Sequence, residues 1–322
     1  MAKRILIGAF GIVLIFLLYQ FFYPGSPTSL SVPGDFEIIA HRGLHTNWEK
    51  GTYDLATGCE ATHIYTPTHG YIENTIASIG AAFGLGATIV EIDIRRTSDD
   101  QLVIFHDYML ECRTDGQGDL SDQTLETLQS LDIGYGYTYD GGKTYPFRGM
   151  GTGKMPTLVE VLEAYPDKKL WIDHKDGTLE TARLLVDILR TLPSEQQALI
   201  YYWGPPDTWD YVRQEIPAAT RLLGNRPEMK ECLLPYLLTL GMGGFPEECQ
   251  GRGIGLTPQY ARYMPGWPYR FLSRAYEAGI RFYLMIDAAE DASAFQALPI
   301  DGIITDYIEI VGPLYSPPGR VP

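Results

Sequence analysis

The chain has 322 residues, enough for one large domain or two small ones, and its 45% hydrophobic content excludes a disordered protein. A formal net charge of −15 argues against nucleic acid as a partner, because the chain would repel a phosphate backbone. A small phosphate-bearing substrate remains compatible with this charge if local cations or a metal bind it.

The N-terminus carries a long apolar run directly after Lys3 and Arg4. Residues 5–23 (ILIGAFGIVLIFLLYQFFY) have no charge, and as a helix they would be roughly 28 Å long, close to the thickness of the bilayer core. No small-residue cleavage motif follows, so we predict a transmembrane anchor over residues 1–23 rather than a cleaved signal peptide. We predict that residues 24–34 form a tether. Because Lys3 and Arg4 precede the apolar run, the positive-inside rule predicts that the following domain lies outside the cytoplasm, in the periplasm or the extracellular space.

Residues 35–322 alternate between short apolar runs and stretches with helical period. The predicted strands are 36–40, 87–94, 102–106, 169–173, 198–203, 253–257, 280–286 and 302–306, with 221–224 as a further candidate. The predicted helices are 74–86, 157–166, 178–192, 228–241 and 268–279. Apolar strands that alternate with helices indicate a parallel sheet covered on both faces, and the count favours a (β/α)8 barrel of the TIM type, with one strand in excess.

The four cysteines all follow the predicted anchor, in an oxidising compartment if the predicted topology holds. They permit three disulfide connectivities. Proximity in the sequence favours Cys59–Cys112 with Cys232–Cys249, and buried free thiols are the alternative.

Ionisable residues stand at the ends of several predicted strands. They are His41-Arg42, Glu91 and Asp93, His106-Asp107, and Asp173-His174-Lys175. In α/β barrels the catalytic groups lie where strands end, so we expect these side chains at one rim. Unpaired buried carboxylates are costly, which indicates a bound divalent cation, Mg²⁺ or Ca²⁺, flanked by histidines that transfer protons. His45 and His174 are more typical of bystanders than of ligands.

Several motifs together resemble the glycerophosphodiester phosphodiesterase family. They are IIAHRG (38–43), ENT (73–75), EIDIRRTSDDQLVIFHD (91–107), MPTLVEVL (155–162), LWIDHK (170–175) and DGIITDY (301–307). The resemblance covers residues 36 to about 310 and implies the α/β barrel fold. It also implies roles for individual residues: His41 and His106 as general acid and base, Glu91, Asp93 and Asp173 as metal ligands, Glu73 as an extra ligand or a supporting group, and Arg42 and Lys175 as phosphate-binding residues.

The implied reaction is hydrolysis of a glycerophosphodiester to glycerol 3-phosphate and an alcohol through a cyclic phosphate. Asp173 stands where the family usually has glutamate, and this change resembles the sphingomyelinase D toxins. A lyase or phospholipase D-like enzyme acting on lysophospholipids or sphingolipids is therefore one alternative, and a non-catalytic binding barrel is another. The expected partners are a small-molecule or lysolipid phosphodiester and the membrane, with no protein partner.

Residues 44–72 form an expanded loop after the first predicted strand. The loop carries three of the six histidines, His45, His63 and His69, together with Cys59. A loop at this position of a barrel borders the active site, so we expect a lid that a disulfide to Cys112 would fix over the rim. The alternative is a surface elaboration whose histidines are exposed.

Overall fold

The computed structural model describes residues 15–19, 21–26, 32, 35–49 and 59–315. Within them the strands are β1 (Glu37–Ala40), β2 (Ile89–Arg96), β3 (Leu102–Ile104), β4 (Lys169–His174), β5 (Ile200–Trp203), β6 (Thr220–Arg221), β7 (Gly253–Leu256), β8 (Arg281–Ile286) and β9 (Gly302–Thr305). The α-helices are α1 (Ile76–Gly84), α2 (Leu125–Ser130), α3 (Leu158–Ala164), α4 (Leu179–Arg190), α5 (Ser194–Gln197), α6 (Pro206–Glu215), α7 (Arg226–Leu238), α8 (Pro258–Ala261), α9 (Tyr269–Glu277) and α10 (Ile308–Tyr315). Short 3-10 helices cover Ala61–His63, Leu120–Asp122, Glu247–Cys249 and Ala289–Asp291.

The chain divides into two compact units. One consists of Ile38–Leu222 and the residues from Thr305 onward, and the other of Leu223–Ile304 and the residues up to Glu37. In both units strands alternate with helices, which confirms the predicted α/β class and the element order expected of a (β/α)8 protein.

The unit built on Ile38–Leu222 contains a parallel sheet whose neighbours run in the order β6, β5, β4, β2, β1. Its strands β1, β2 and β4 are buried on both faces: Ile39, Ile92 and Ile172 are fully buried. This burial explains why the strands read as continuous apolar runs. The flanking helices begin at side-chain caps, for example Thr75 before α1 and Thr157 before α3.

The prediction of a parallel strand at 102–106 is wrong. β3 pairs antiparallel with β2, with Arg96 opposite Leu102 and Ile94 opposite Ile104. Only residues 97–101 connect the two strands, and a parallel crossover needs a dozen or more residues. The surplus strand of the predicted count is therefore this hairpin arm, whereas β6, which overlaps the weaker candidate at 221–224, belongs to the parallel set.

The unit built on Leu223–Ile304 contains β7, β8 and β9 as neighbours, and β7 and β8 are parallel. Aromatic side chains fill the space beside these strands: Phe271 lies 5.3 Å from both Tyr236 and Phe282, measured between ring centroids. The predicted helices at 228–241 and 268–279 are confirmed here as α7 and α9.

Most of the predicted anchor lies outside the described residues, including residues 1–14, and so does most of the predicted tether. Residues 15–19 and 21–22 are helical. In the part of the chain that the structure describes, no helix combines the length and the apolar character needed to cross a membrane. The anchor stays a prediction.

Both disulfides form as favoured from the sequence. Cys59 is bonded to Cys112, and Cys232 is bonded to Cys249. The alternative of free thiols is wrong, because all four cysteines are paired.

Removing either disulfide is expected to lower the free energy of unfolding. The two bonds span sequence separations of 53 and 17 residues. Loop-closure entropy then predicts a loss of about 4 kcal/mol for C59S/C112S and about 3 kcal/mol for C232S/C249S. Urea denaturation of the two double variants checks this, and an unchanged midpoint in either would contradict it.

Candidate active site

Three buried carboxylates from β2 and β4 converge in the unit built on Ile38–Leu222. Glu91 and Asp93 alternate along β2 and so share one face of the strand. Asp173 on β4 is the register partner of Asp93. One carboxylate oxygen from each of the three lies within 4.8 Å of the others. The structure thus brings together the three predicted metal ligands.

The residues of this cluster fit a divalent cation. The Oδ1 atom of Asp173 is buried without a hydrogen-bond partner, which leaves a lone pair free for an ion. Burial and the neighbouring charge of Asp93 raise the pKa of Glu91 to about 8. Grouped carboxylate oxygens are the ligands that Mg²⁺ and Ca²⁺ prefer, so the cluster could hold either ion.

Lys175 supplies positive charge at the same place. Its Nζ lies 2.7 Å from Oδ1 of Asp93 and also donates to Oδ2 of Asp173. Burial alone would raise the pKa of Asp93, but Lys175 and other nearby cations hold it well below its usual range. The side chain of Lys175 keeps 16% exposure, so the ammonium group reaches the edge of the cluster.

His41 follows β1 and faces Glu91. Its Nδ1 pairs with Oδ1 of Asp306 at 2.6 Å, and its Nε2 lies 4.0 Å from Oε2 of Glu91. Burial and Arg42 lower the pKa of His41, but Asp306 and Glu91 outweigh them and raise it to about 9. His41 is therefore protonated near neutral pH.

The β2–β3 hairpin carries His106 to the other side of the cluster. The backbone N–H of Phe105 donates to the carbonyl of Asp93 at 3.0 Å, so His106 follows immediately beside this ligand. Nδ1 of His106 pairs with Oδ1 of Asp107 at 2.8 Å. Burial and then Arg42 lower the pKa of His106 well below its usual range. His106 is therefore neutral, in contrast to His41.

Arg42 is buried and surrounded by carboxylates. Its Nη1 donates to Oε2 of Glu60 at 2.5 Å and to Oε1 of Glu73 at 3.1 Å, and its Nε lies 3.4 Å from Oδ2 of Asp93. Both oxygens of Glu73 are engaged, because Oε2 accepts from Arg113 at 2.7 Å. Glu73 lies outside the three-carboxylate cluster and pairs with Arg42 and Arg113, and its two predicted roles, an extra ligand or a supporting group, stay predictions.

The described parts of the 44–72 loop, residues 44–49 and 59–72, border the site. The ring of Trp48 lies 5.2 Å from the guanidinium carbon of Arg42, and His45 is buried with Nε2 3.9 Å from Oδ1 of Asp306. His63 is exposed and His69 is half-buried. The described part of the loop borders the site near His45 and forms surface at His63, and the lid stays a prediction.

His174, which we predict to be a bystander, lies outside the three-carboxylate cluster. Its Nδ1 is 2.7 Å from the hydroxyl of Tyr202 and its Nε2 is 2.8 Å from Oδ1 of Asp176. Both ring nitrogens are therefore engaged in structural hydrogen bonds.

Sequence reasoning assigned no role to Asp306, Asn74 or Glu60. Asp306 directly follows β9, so the rule that selected the other strand ends would have found it. Asn74 donates from Nδ2 to Oδ2 of Asp93 at 2.6 Å and belongs to the ENT motif. Glu60 carries no local signal, because only tertiary folding brings it to Arg42.

Comparison with known proteins decides the family. The model of the glycerophosphoryl diester phosphodiesterase family matches residues 41–310. The chain belongs to this family. A glycerophosphodiester phosphodiesterase from Caldanaerobacter subterraneus is similar to it, with 36% identity over 244 residues that cover 73% of this chain and 88% of that protein. Membership confirms the prediction of a phosphodiester hydrolase, and the non-catalytic alternative is set aside.

Solved structures of the glycerophosphoryl diester phosphodiesterase family share the fold. The family domain of a Mycobacterium tuberculosis protein aligns with a TM-score of 0.63 and 17% identity, covering 87% of this chain and 99% of that one. An Oleispira antarctica phosphodiesterase in complex with sn-glycerol-3-phosphate aligns with a TM-score of 0.58 and 20% identity, covering 86% of this chain and 96% of that one.

Proposed function

We propose that the protein hydrolyses glycerophosphodiesters to glycerol 3-phosphate and a free alcohol, with one divalent cation, Mg²⁺ or Ca²⁺, as cofactor. The observation that carries this proposal is the pair of histidines beside the carboxylate cluster. His41 and His106 each pair through Nδ1 with their own carboxylate, Asp306 and Asp107. This arrangement fixes both rings and leaves Nε2 for proton transfer.

The opposite protonation states of the two histidines suit an acid–base pair. Neutral His106 accepts the proton of the attacking hydroxyl of the substrate, and protonated His41 donates a proton to the leaving oxygen. When water opens the resulting cyclic phosphate, the two residues exchange roles. A cation held by Glu91, Asp93 and Asp173 would supply positive charge for the phosphoryl oxygens.

We propose Lys175 and Arg42 as the positive charges of the protein that stabilise the phosphate. Lys175 is the better placed for direct contact, because its side chain is 16% exposed whereas that of Arg42 is 4% exposed. Arg42 is buried and would stabilise the phosphate through the electrostatic field of its positive charge rather than by direct contact.

The test is a turnover assay on a panel of glycerophosphodiesters, with EDTA and metal add-back. Release of alcohol and glycerol 3-phosphate supports the proposal. Phosphorus NMR separates the lyase alternative, which Asp173 favours, since a cyclic phosphate would then accumulate. If no substrate of the panel is cleaved in the presence of either cation, the proposal fails.

D306N is expected to lower kcat at pH 7 by about 10²-fold, because His41 loses the carboxylate that orients its ring and stabilises its protonated form. Asp306 contributes to the elevated pKa of His41. Activity that needs protonated His41 is lost as the pH rises through this pKa, so the alkaline limb of the pH–rate profile should move to lower pH in D306N. A profile identical to that of the wild type would refute this role of Asp306.

We further propose that residues 5–23 anchor the protein in a membrane with its enzyme domain outside the cytoplasm. The two disulfides support this location, because disulfides persist in oxidising compartments. Extraction of the full-length protein from cell membranes by alkaline carbonate would contradict the anchor.

A further inference from the structure

Glu60 belongs to the expanded loop and pairs with two buried arginines outside it, Arg42 and Arg113. Its side chain is 4% exposed, and its Oε2 accepts from Nη1 of Arg42 at 2.5 Å and from Nη2 of Arg113 at 2.9 Å. Glu73 accepts hydrogen bonds from the same two arginines. Without Glu60 each guanidinium group would lose one of its buried carboxylate partners, which removes one negative charge from beside two buried positive charges and disturbs both groups.

Arg42 transmits the position of Glu60 to a predicted metal ligand. The backbone of Arg42 has a φ of 56°, in the left-handed region that arginine rarely adopts. Such a conformation persists only where the surroundings impose it, and around Arg42 these include the ion pairs of its side chain with Glu60 and Glu73 and the hydrogen bond from the Asn74 N–H to its carbonyl. In this conformation the backbone N–H of Arg42 donates to Oε2 of Glu91 at 2.9 Å.

Arg113 transmits the position of Glu60 to His106. The Nε of Arg113 lies 2.9 Å from Oδ2 of Asp107, whose other oxygen pairs with Nδ1 of His106. Glu60, Arg113, Asp107 and His106 thus form a continuous chain of ion pairs and hydrogen bonds from the loop to the imidazole ring.

The Cys59–Cys112 disulfide links the segment that carries Glu60 to the segment that carries Arg113. Cys59 directly precedes Glu60, and Cys112 directly precedes Arg113. The covalent bond and the Glu60–Arg113 ion pair therefore tie the same two segments together. The Cys232–Cys249 disulfide belongs to the other unit of the chain, so it provides a matched control.

We propose that Glu60, held by the Cys59–Cys112 disulfide, is a positioning residue that sets both Glu91 and His106 for catalysis. This inference rests on the proposed function of His106 and the carboxylate cluster. It gives the expanded loop a defined task and makes turnover depend on one disulfide and not on the other.

The experiment compares E60Q, C59S/C112S and C232S/C249S with the wild type, each checked for native circular dichroism at the assay temperature. For E60Q and C59S/C112S we expect kcat to fall by about 10- to 100-fold, as for misplacement of catalytic groups by about 1 Å. KM should stay within about threefold, because the loss falls on the chemical step. C232S/C249S should keep the kcat of the wild type although it also loses stability.

Hydrogen–deuterium exchange provides a second readout that does not need turnover. Exchange in peptides covering residues 41–43 and 105–113 should rise in E60Q and C59S/C112S and stay unchanged in C232S/C249S. Wild-type kcat and exchange in E60Q would overturn the inference, as would an equal loss of kcat in the two cysteine variants. If the wild type cleaves no glycerophosphodiester, the proposed function fails, and the exchange data alone decide whether Glu60 positions these segments.

Discussion

Alanine in place of His41 or His106 is expected to lower kcat by about 10²–10⁴-fold, the usual contribution of a general acid or base. In the proposed mechanism, each variant loses the group that transfers the proton on its side of the phosphodiester. Steady-state kinetics on a glycerophosphodiester cleaved by the wild type measures the effect.

Both histidine variants are expected to fold. The carboxylate partner of His106 keeps its contact with Arg113 at 2.9 Å, and the ring of His41 is already 27% exposed. H63A is the matched control, because His63 is exposed and its Nδ1 pairs with the hydroxyl of the neighbouring Thr62 at 2.9 Å. Retention of more than about a tenth of the wild-type kcat in either H41A or H106A would exclude that residue as the principal acid or base.

Removal of the divalent cation is expected to abolish turnover, and D173N is expected to do the same at ordinary metal concentrations. Loss of a group that merely supports a ligand costs about 10–100-fold in metal affinity, so loss of a ligand should cost at least as much. The amide of this variant has nearly the shape of the carboxylate but removes one negative charge from the cluster. Isothermal titration of EDTA-treated protein with Mg²⁺ and Ca²⁺ measures the affinity.

Metal affinity should also depend on pH in a defined direction. Burial and Asp93 raise the pKa of Glu91 to about 8, so near pH 6 this carboxyl is protonated and must release its proton before it binds a cation. The affinity should therefore rise by about tenfold per pH unit between pH 6 and 8. D167N is the control, since Asp167 precedes β4 with a side chain that is 77% exposed. Turnover that survives exhaustive EDTA treatment would refute the metal requirement.

The fold could be predicted largely from the period of the hydrophobic residues. The main error of the prediction was to ignore how few residues separate two of the predicted strands. Residues 102–106 have the composition of a buried strand, but a five-residue connection permits only an antiparallel return. β6 was the weakest candidate because it has only two residues, Thr220–Arg221, and both are only half-buried. Its pairing with β5 is a property of the tertiary structure.

The site could be predicted where its residues follow strands and not where they come from loops. The sequence displays the alternation that puts Glu91 and Asp93 on one face of a strand and the position of Asp173 near the end of its own strand, whereas the register that pairs Asp93 with Asp173 appears only in the structure. The contact of Glu60 with Arg113 spans 53 residues and depends on chain folding. Arg42 was predicted to bind the phosphate, but its burial could not be predicted, because it also depends on chain folding.

The β2–β3 hairpin makes the spacing between His106 and Asp93 a short-range property. Both residues belong to one ribbon closed by residues 97–101, so no distant strand has to be in place before they meet. One extra residue in that turn would rotate the imidazole to the opposite side of the ribbon, whereas extra residues in the loops between other strands would leave its separation from the carboxylate intact. Tolerance to length variation should therefore be lowest in this small turn.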